Sequence, residues 1–249
     1  MPADHLEPSA ARRVQRVQLE PKRRAATVLH VDTVSPHFVR VTFGGAALAD
    51  FNSPGFDDHV KFIIDGDDGP VARNYTPRAF DNAAGTVDIE FALHGDGAAS
   101  DWAAQAAPGQ QAVIAGPRGA FIIPSDFDWH LLVGDETALP AIARRLEELP
   151  AGVRAFVIVQ LNDAADRRAL PSAAQVELSW LGAGDDLDAH IRALSLPAGE
   201  GYAWCAGESH RMAQIRRVLV DDKGLDKQQV RAAAYWKQGE AAHHQKLED

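Results

Sequence analysis

Six consecutive residues, Arg73-Asn74-Tyr75-Thr76-Pro77-Arg78, bring together two cations, an aromatic ring and a hydroxyl. Guanidinium groups match phosphate oxygens in charge and shape. A tyrosine ring packs on a flat heterocycle, and a threonine hydroxyl bonds a ring nitrogen or oxygen. On an extended segment Arg73 and Tyr75 share one side, and Thr76 and Arg78 the other. The set suits a phosphorylated aromatic cofactor. Composition alone also describes, and more commonly, an exposed strand end with scattered polar residues.

Three further clusters have the form of a strand, a small-residue turn and a helix start. His94-Gly95-Asp96-Gly97-Ala98-Ala99-Ser100-Asp101-Trp102 allows backbone N–H groups to approach a diphosphate. Ser100 is placed to open a helix whose N-terminus attracts anions. The same residues also describe a simple turn with Ser100 as its cap. Val133-Gly134-Asp135-Glu136-Thr137-Ala138-Leu139-Pro140 follows a buried strand. Ligands of open α/β sheets bind at the carboxyl ends of strands, so Gly134 and Thr137 are placed to meet one. Asp135 and Glu136 disfavour a phosphate directly above them. Trp204-Cys205-Ala206-Gly207-Glu208-Ser209-His210 repeats the arrangement. Cys205 reads as a buried strand thiol rather than a nucleophile. Neither GxGxxG nor GxxxxGK[ST] occurs, so the ordinary dinucleotide fingerprint and the P-loop are both missing.

Two kinds of strand must position these clusters. In the first half apolar residues alternate, as in Val39, Val41, Phe43 and in Val87, Ile89, Phe91, Leu93. Period two means half-buried strands. Gly and Pro punctuate them at the spacing of an antiparallel barrel or sandwich. From Trp129 the strands turn continuously apolar: His130–Val133, Ala155–Val159 and Tyr202–Ala206. Such strands are buried on both faces and imply helices over a parallel sheet. Helices are expected from Thr137 to Leu149, Asp185 to Leu194 and Ser209 to Asp222, with Pro140 in a first turn and Gly224 at a stop. The expected organisation is an all-β domain over 14–125 and an α/β domain over 126–249 with a C-terminal tail.

The chain has 249 residues and a formal charge of −10, from 25 Lys+Arg and 35 Asp+Glu. That balance argues against a general binder of nucleic acid or anionic membrane. One cysteine rules out an internal disulfide and a Cys-rich zinc site. No apolar run reaches the roughly 18 residues of a membrane span. The first residues lack a secretory pattern, so the cytoplasm is the expected compartment. His243-His244 reads as a solvated tail, and no protein-bound metal is expected.

Taken in order, the clusters resemble the siderophore-interacting proteins, FAD-binding ferric-siderophore reductases within the ferredoxin–NADP reductase-like superfamily. The resemblance is carried by Asp57-Asp58-His59-Val60-Lys61, Arg73-x-Tyr75-Thr76-x-Arg78, His94-Gly95 with Gly97 and Ser100, and Gly116-Pro117-Arg118-Gly119. It continues through Gly134 to Pro140, Ala206-Gly207-Glu208 and Tyr235-Trp236. It covers roughly 14 to 239. Ala98 stands where family members often have Pro.

The resemblance implies a Greek-key β-barrel FAD domain followed by a parallel-sheet NAD(P)H domain. Arg73 and Arg78 would hold FAD phosphates, Tyr75 would pack on the flavin, and Thr76 would bond near its polar edge. His94, Gly97 and Ser100 would line the diphosphate or adenine side. Gly134, Asp135, Glu136, Thr137, Ala138, Gly207 and Glu208 would receive NADPH or NADH. Arg211, Arg216 and Arg217 lie near enough in sequence to bear on a 2′-phosphate. The implied reaction passes electrons from NAD(P)H through flavin to Fe(III) in a siderophore or chelate, with ferredoxin as another possible donor. No catalytic side chain is assigned. Ferric chelates are often anionic, so a −10 protein needs a local cationic mouth, for which Lys61, Arg118 and Lys237 are the candidates. Two other classes stay open: a reductase of the same architecture with another acceptor, and a non-enzymatic flavin- or siderophore-binding protein.

Overall fold

The computed structural model describes residues 13–66, 69–93 and 97–239, and the backbone of 245–246. His94, His243 and His244 lie outside the described residues.

The first half forms β1 (Gln15–Gln18), β2 (Arg23–Ser35), β3 (Phe38–Gly44), β4 (Val60–Gly66), β5 (Gly69–Tyr75), β6 (Pro77–Asp81), β7 (Thr86–Ala92), α1 (Ala98–Ala104), β8 (Gln111–Ala115) and β9 (Gly119–Ile122). Seven of these strands make one antiparallel sheet in the order β5-β4-β8-β2-β3-β7-β6. Its two edge strands, β5 and β6, are joined by Thr76 alone. Edges at opposite ends of such a sheet can be that close only if the sheet curls round on itself, which gives the expected barrel. No ladder pairs β5 with β6: with one residue between them the two strands follow each other along the chain and cannot fold back as a hairpin.

The alternating residues fill the barrel. Val41, Phe43, Val87, Ile89, Phe91, Phe62 and Ile114 are fully buried. Helix α1 sits over one end, with the Trp102 ring on Phe43 and Phe62. It starts earlier than the sequence suggested: Gly97 is the N-cap, at φ 132°, and Ser100 is the third helical residue. Ala98 and Ala99 favour helix strongly, so the turn closes as soon as the glycine allows.

The second half forms β10 (Trp129–Asp135), α2 (Leu139–Glu148), β11 (Arg154–Leu161), β12 (Gln175–Gly182), α3 (Leu187–Ala193), β13 (Gly201–Glu208), α4 (Ser209–Arg217), β14 (Val230–Trp236) and β15 (Gln245–Lys246). Strands β12-β11-β10-β13-β14 run parallel in that order, and β15 pairs antiparallel with β14. Apolar clusters cover both faces, as continuously apolar strands require.

The two halves share one core. Phe38, Phe56 and Ile123 from the first half lie in the same apolar cluster as α2, β11 and Trp204. Helix α2 therefore serves both the parallel sheet and the barrel.

Candidate active site

In a parallel sheet the first strand has neighbours that leave in opposite directions, and a crevice opens beyond the strand ends. Here β10 lies between β11 and β13. A crevice of about 220 Å³ lies at those carboxyl ends, lined by Asp135, Glu136, Gln160, Asn162, Glu208, Arg211 and Trp236 among others. Both the third and the fourth sequence cluster end in it.

Asp135 organises the crevice from below. Its Oδ1 accepts from Thr137 N–H at 2.9 Å and Thr137 Oγ1 at 2.5 Å. Its Oδ2 accepts from Glu208 N–H at 3.1 Å and Trp236 Nε1 at 2.8 Å. One carboxylate thus ties the ends of β10, β13 and β14 together. Burial raises its pKa, against the pull of those donors. Both acids of the turn line the crevice, but Asp135 is committed to four donors and Glu136 is not. Burial, and then the charge of Asp135, pushes it up to about 7. Asn162 Nδ2 donates to its Oε1. Glu208 caps α4 by accepting from Arg211 N–H at 2.9 Å.

The two glycines expected to meet a cofactor are explained by the chain itself. A Cβ on Gly134 would meet Ala138 and, at 2.9 Å, the Ala206 carbonyl. A Cβ on Gly207, at φ 153°, would run into Asp135. Close strand-to-turn packing requires both.

The first cluster divides at the barrel edge. Arg73 on β5 is half-buried and donates only to the neighbouring Ala72 carbonyl, so its charge has no acidic partner among the described residues. A free guanidinium at a barrel edge fits a phosphate. Arg78 is nearly buried and committed: its terminal nitrogens donate to Glu147 of α2 at 2.7 and 2.5 Å. Its Nε lies 3.5 Å from Glu90, whose buried carboxylate is also held by Arg40 and Arg168. Tyr75 packs its ring on Phe62 and Phe91, with centroids 5.9 and 4.4 Å away. Burial pushes its phenol up to about 12, so it is neutral. Thr76 is buried beside the Tyr235 hydroxyl. Gly97 has open space where a Cβ would stand, leaving its backbone approachable, while Ser100 is buried in α1.

Several positioning residues carried no role in the sequence reading. Asp57 accepts from Trp204 Nε1 at 3.1 Å and Arg231 Nε at 2.6 Å. Arg144 of α2 donates to Ser53 Oγ, the Ser53 carbonyl and the Pro77 carbonyl at 2.9, 2.5 and 3.0 Å. Arg145 reaches the Pro124 carbonyl at 2.5 Å and lies over Phe56. These bonds cross between residues far apart in sequence. Only the Asp57-Asp58 and Tyr235-Trp236 pairs gave any signal of them.

Of the proposed mouth, Lys61 and Arg118 are exposed and make no ion pair among the described residues. Both lie on the β4/β8 side: Lys61 faces Ala115 across the ladder, and Arg118 follows the turn after β8. Lys237 is exposed just beyond β14, past Trp236 at the crevice. Arg211 lines the crevice with Asp188 3.8 Å away. Cys205 is buried, and burial pushes its thiol up to about 12. No helix among the described residues is long and apolar enough to cross a membrane.

Residues 127–239 match the family described as siderophore-interacting protein, and residues 27–69 and 64–121 match the siderophore-interacting FAD-binding domain. An NADPH-dependent ferric-chelate reductase of Escherichia coli is 34% identical over 245 residues, covering 89% of this chain and 96% of that protein. The ferric vibriobactin reductase ViuB of Vibrio cholerae is 29% identical, covering 85% of this chain and 89% of that protein. A solved siderophore utilization protein from T. fusca superposes with a TM-score of 0.86 at 30% identity, covering 92% of this chain and 98% of that one. The chain belongs to the siderophore-interacting protein family.

Proposed function

We propose that this chain is an FAD-dependent reductase that takes electrons from NAD(P)H and delivers them to Fe(III) held in a siderophore or related chelate. One observation carries the reading in this family context. A barrel edge with an uncommitted guanidinium, Arg73, adjoins a parallel sheet whose strand-end crevice is braced by Asp135. FAD supplies the exchange between a two-electron hydride donor and one-electron acceptors. Fe(II) is less charged than Fe(III) and leaves hard oxygen donors more readily, so reduction releases the iron.

The side chains bind and orient. Arg73 takes the FAD phosphate contact, and the open Gly97 backbone, His94 and Ser100 are assigned to the diphosphate or adenine part of the cofactor. Arg78, with both terminal nitrogens on Glu147, fixes the edge from the seam. Tyr75 and Thr76 wall the flavin's place. Glu136, Thr137, Ala138, Gly207 and Glu208 shape the nicotinamide crevice above Asp135, and Gly134 permits the turn. Lys61, Arg118 and Lys237 attract the chelate. The domain division at 125/126 fits the gap between the two family matches, 121 to 127. The reaction belongs in the cytoplasm, where NAD(P)H is regenerated.

The test is anaerobic reduction of a ferric chelate, with Fe(II) trapped by a ferrous-specific chelator and NADPH, NADH or reduced ferredoxin as donor. Fe(II) formation that needs FAD and NAD(P)H supports the reading. Flavin binding with no Fe(II) formed from any donor would leave a binding protein instead. Lys61→Ala and Arg118→Ala should each raise KM for an anionic chelate several-fold at constant FAD content. Unchanged KM in both removes them from the mouth.

A further inference from the structure

Strand β8 pairs with β2 on one side and β4 on the other, and the two ladders share a row. Ala115 is opposite Arg23 in β2 and opposite Lys61 in β4. Directly opposed residues project from the same face of a sheet. Arg23 and Lys61 therefore stand on one face, two strand spacings or about 10 Å apart at the backbone. Only the methyl group of Ala115 lies between them. Both are exposed, Ala115 is half-buried, and neither cation has an ionic partner among the described residues.

The turn after β8 carries a third cation, Arg118. Gly116 N–H donates to the Lys22 carbonyl, and Leu19 N–H donates to the Arg118 carbonyl, both at 3.0 Å. The turn carrying Arg118 is thereby pinned to the chain entering β2. The carboxylates of this stretch leave the row cationic. Asp50 is taken up by Lys22 and Arg24, and Glu20 is a single exposed acid. The next row on the same face, Ala25–Val113–Ile63–Ala72, is uncharged. The positive charge is thus one row wide. Elsewhere on the surface Arg13 pairs with Asp126 and Glu200, Arg154 with Glu177 and Arg192 with Asp222.

We propose that Arg23 is a substrate-binding residue, and that Arg23, Lys61 and Arg118 together select multiply anionic ferric chelates over neutral ones, with the Ala115 trough admitting the anion. The inference rests on the reductase reading and adds to it a residue and a charge preference. Two long cations with a gap between them share one bulky anion better than a single charge does. Their attraction is local, inside a protein whose net charge repels anions.

The experiment uses the FAD-loaded protein with a trianionic hexadentate tris-catecholate and a neutral tris-hydroxamate, each with Fe(III) for kinetics and redox-inert Ga(III) for binding. Arg23→Ala should weaken the Ga(III) trianion and raise KM for its Fe(III) form about five-fold, with kcat, FAD content and the neutral chelate unchanged. Arg23→Lys should restore most of the loss. Ala115→Glu, which puts a carboxylate between the cations, should cost more than Arg23→Ala. Added salt should erode the wild-type preference and leave the Arg23→Ala value flatter. Equal trianion affinity in wild type and Arg23→Ala overturns the proposal, as does a loss shared equally by the neutral chelate. A wild type that reduces no ferric chelate overturns the reductase reading. The cation row still stands in that case if trianion binding depends on Arg23, and falls if the trianion does not bind.

Discussion

The seam between the two halves and the rim of the barrel use the same residue types in opposite ways. At the seam every arginine is committed: Arg78 to Glu147, Arg144 to Ser53 and Pro77, Arg145 to Pro124, Arg231 to Asp57. At the rim Arg23, Lys61 and Arg118 are exposed without an ion pair among the described residues, and Arg73 donates only to its neighbour's carbonyl. A matched buried charge holds elements in register, and removing one partner leaves the other stranded. An unmatched exposed charge adds little to stability and is available to a ligand. An arginine's role is therefore set by what surrounds it. Arg73 and Arg78 show this within one six-residue motif.

The sharpest test of the seam is Asp57→Ala. It removes the acceptor for both Arg231 and Trp204 while Arg231 stays buried against Phe121, 3.7 Å from the ring centre. Breaking a buried pair from one side costs about 3 kcal/mol, or roughly 10 °C in Tm for a chain of this size. Thermal unfolding should show that loss, while any of the three rim variants shifts Tm by about 1 °C or less. A rim variant that unfolds as early as Asp57→Ala would erase the distinction.

Within the motif the contrast is smaller and more specific. Arg73→Ala should lower FAD affinity about tenfold and leave the Tm of the apoprotein unchanged. Arg78→Ala should lower that Tm by several degrees, because Glu147 loses its partner and Glu90 keeps only Arg40 and Arg168. Flavin titration followed by fluorescence, beside melting of the apoprotein, reads both. The reverse assignment of effects would move Arg78 to the phosphate and Arg73 to the structure.

The sequence made the elements with strong periodicity legible. The alternating Val39–Phe43 and Val87–Leu93 runs are adjacent strands of the barrel, and the apolar runs from His130, Ala155 and Tyr202 are three neighbouring parallel strands. Strand β14 was missed because Ala232, Ala233 and Ala234 have little β propensity, and burial between β13 and β15 overrides that. Strand β12 was missed because an edge position leaves it only partly buried. At the site, the sequence flagged Asp135 and Glu136 alike. The fold commits one to four donors at the crevice floor and leaves the other less committed in the same crevice. The seam was the least legible part. Asp57 to Arg231 and Ser53 to Arg144 are contacts between distant parts of the chain, which no local pattern encodes.

The seam also contains a buried carboxylate with no ion pair among the described residues, Asp58, and it gives the finest test. Asp58 Oδ2 accepts from Gly55 N–H at 2.9 Å and Ser53 Oγ at 3.1 Å, but its buried Oδ1 has no hydrogen-bond partner. Burial raises its pKa to about 7 from 3.8. The folded state therefore holds a proton there that the unfolded state releases near pH 4, and stability falls as pH rises from about 4 to 7. His130 works the other way: burial lowers it to about 4, so stability rises over much of the same range. The raw pH profile mixes the two. Asp58→Asn removes only the first, retains an acceptor oxygen for Gly55 and Ser53, and leaves His130 in place. The difference between variant and wild type then isolates Asp58. It should grow between pH 4 and 7 and reach about 1 kcal/mol in the variant's favour at pH 8, once the cost of burying the amide is included. Denaturant unfolding at several pH values measures it. A difference that does not change with pH would mean that Asp58 is ionised throughout the range, its charge held as that of Asp57 is held by Arg231.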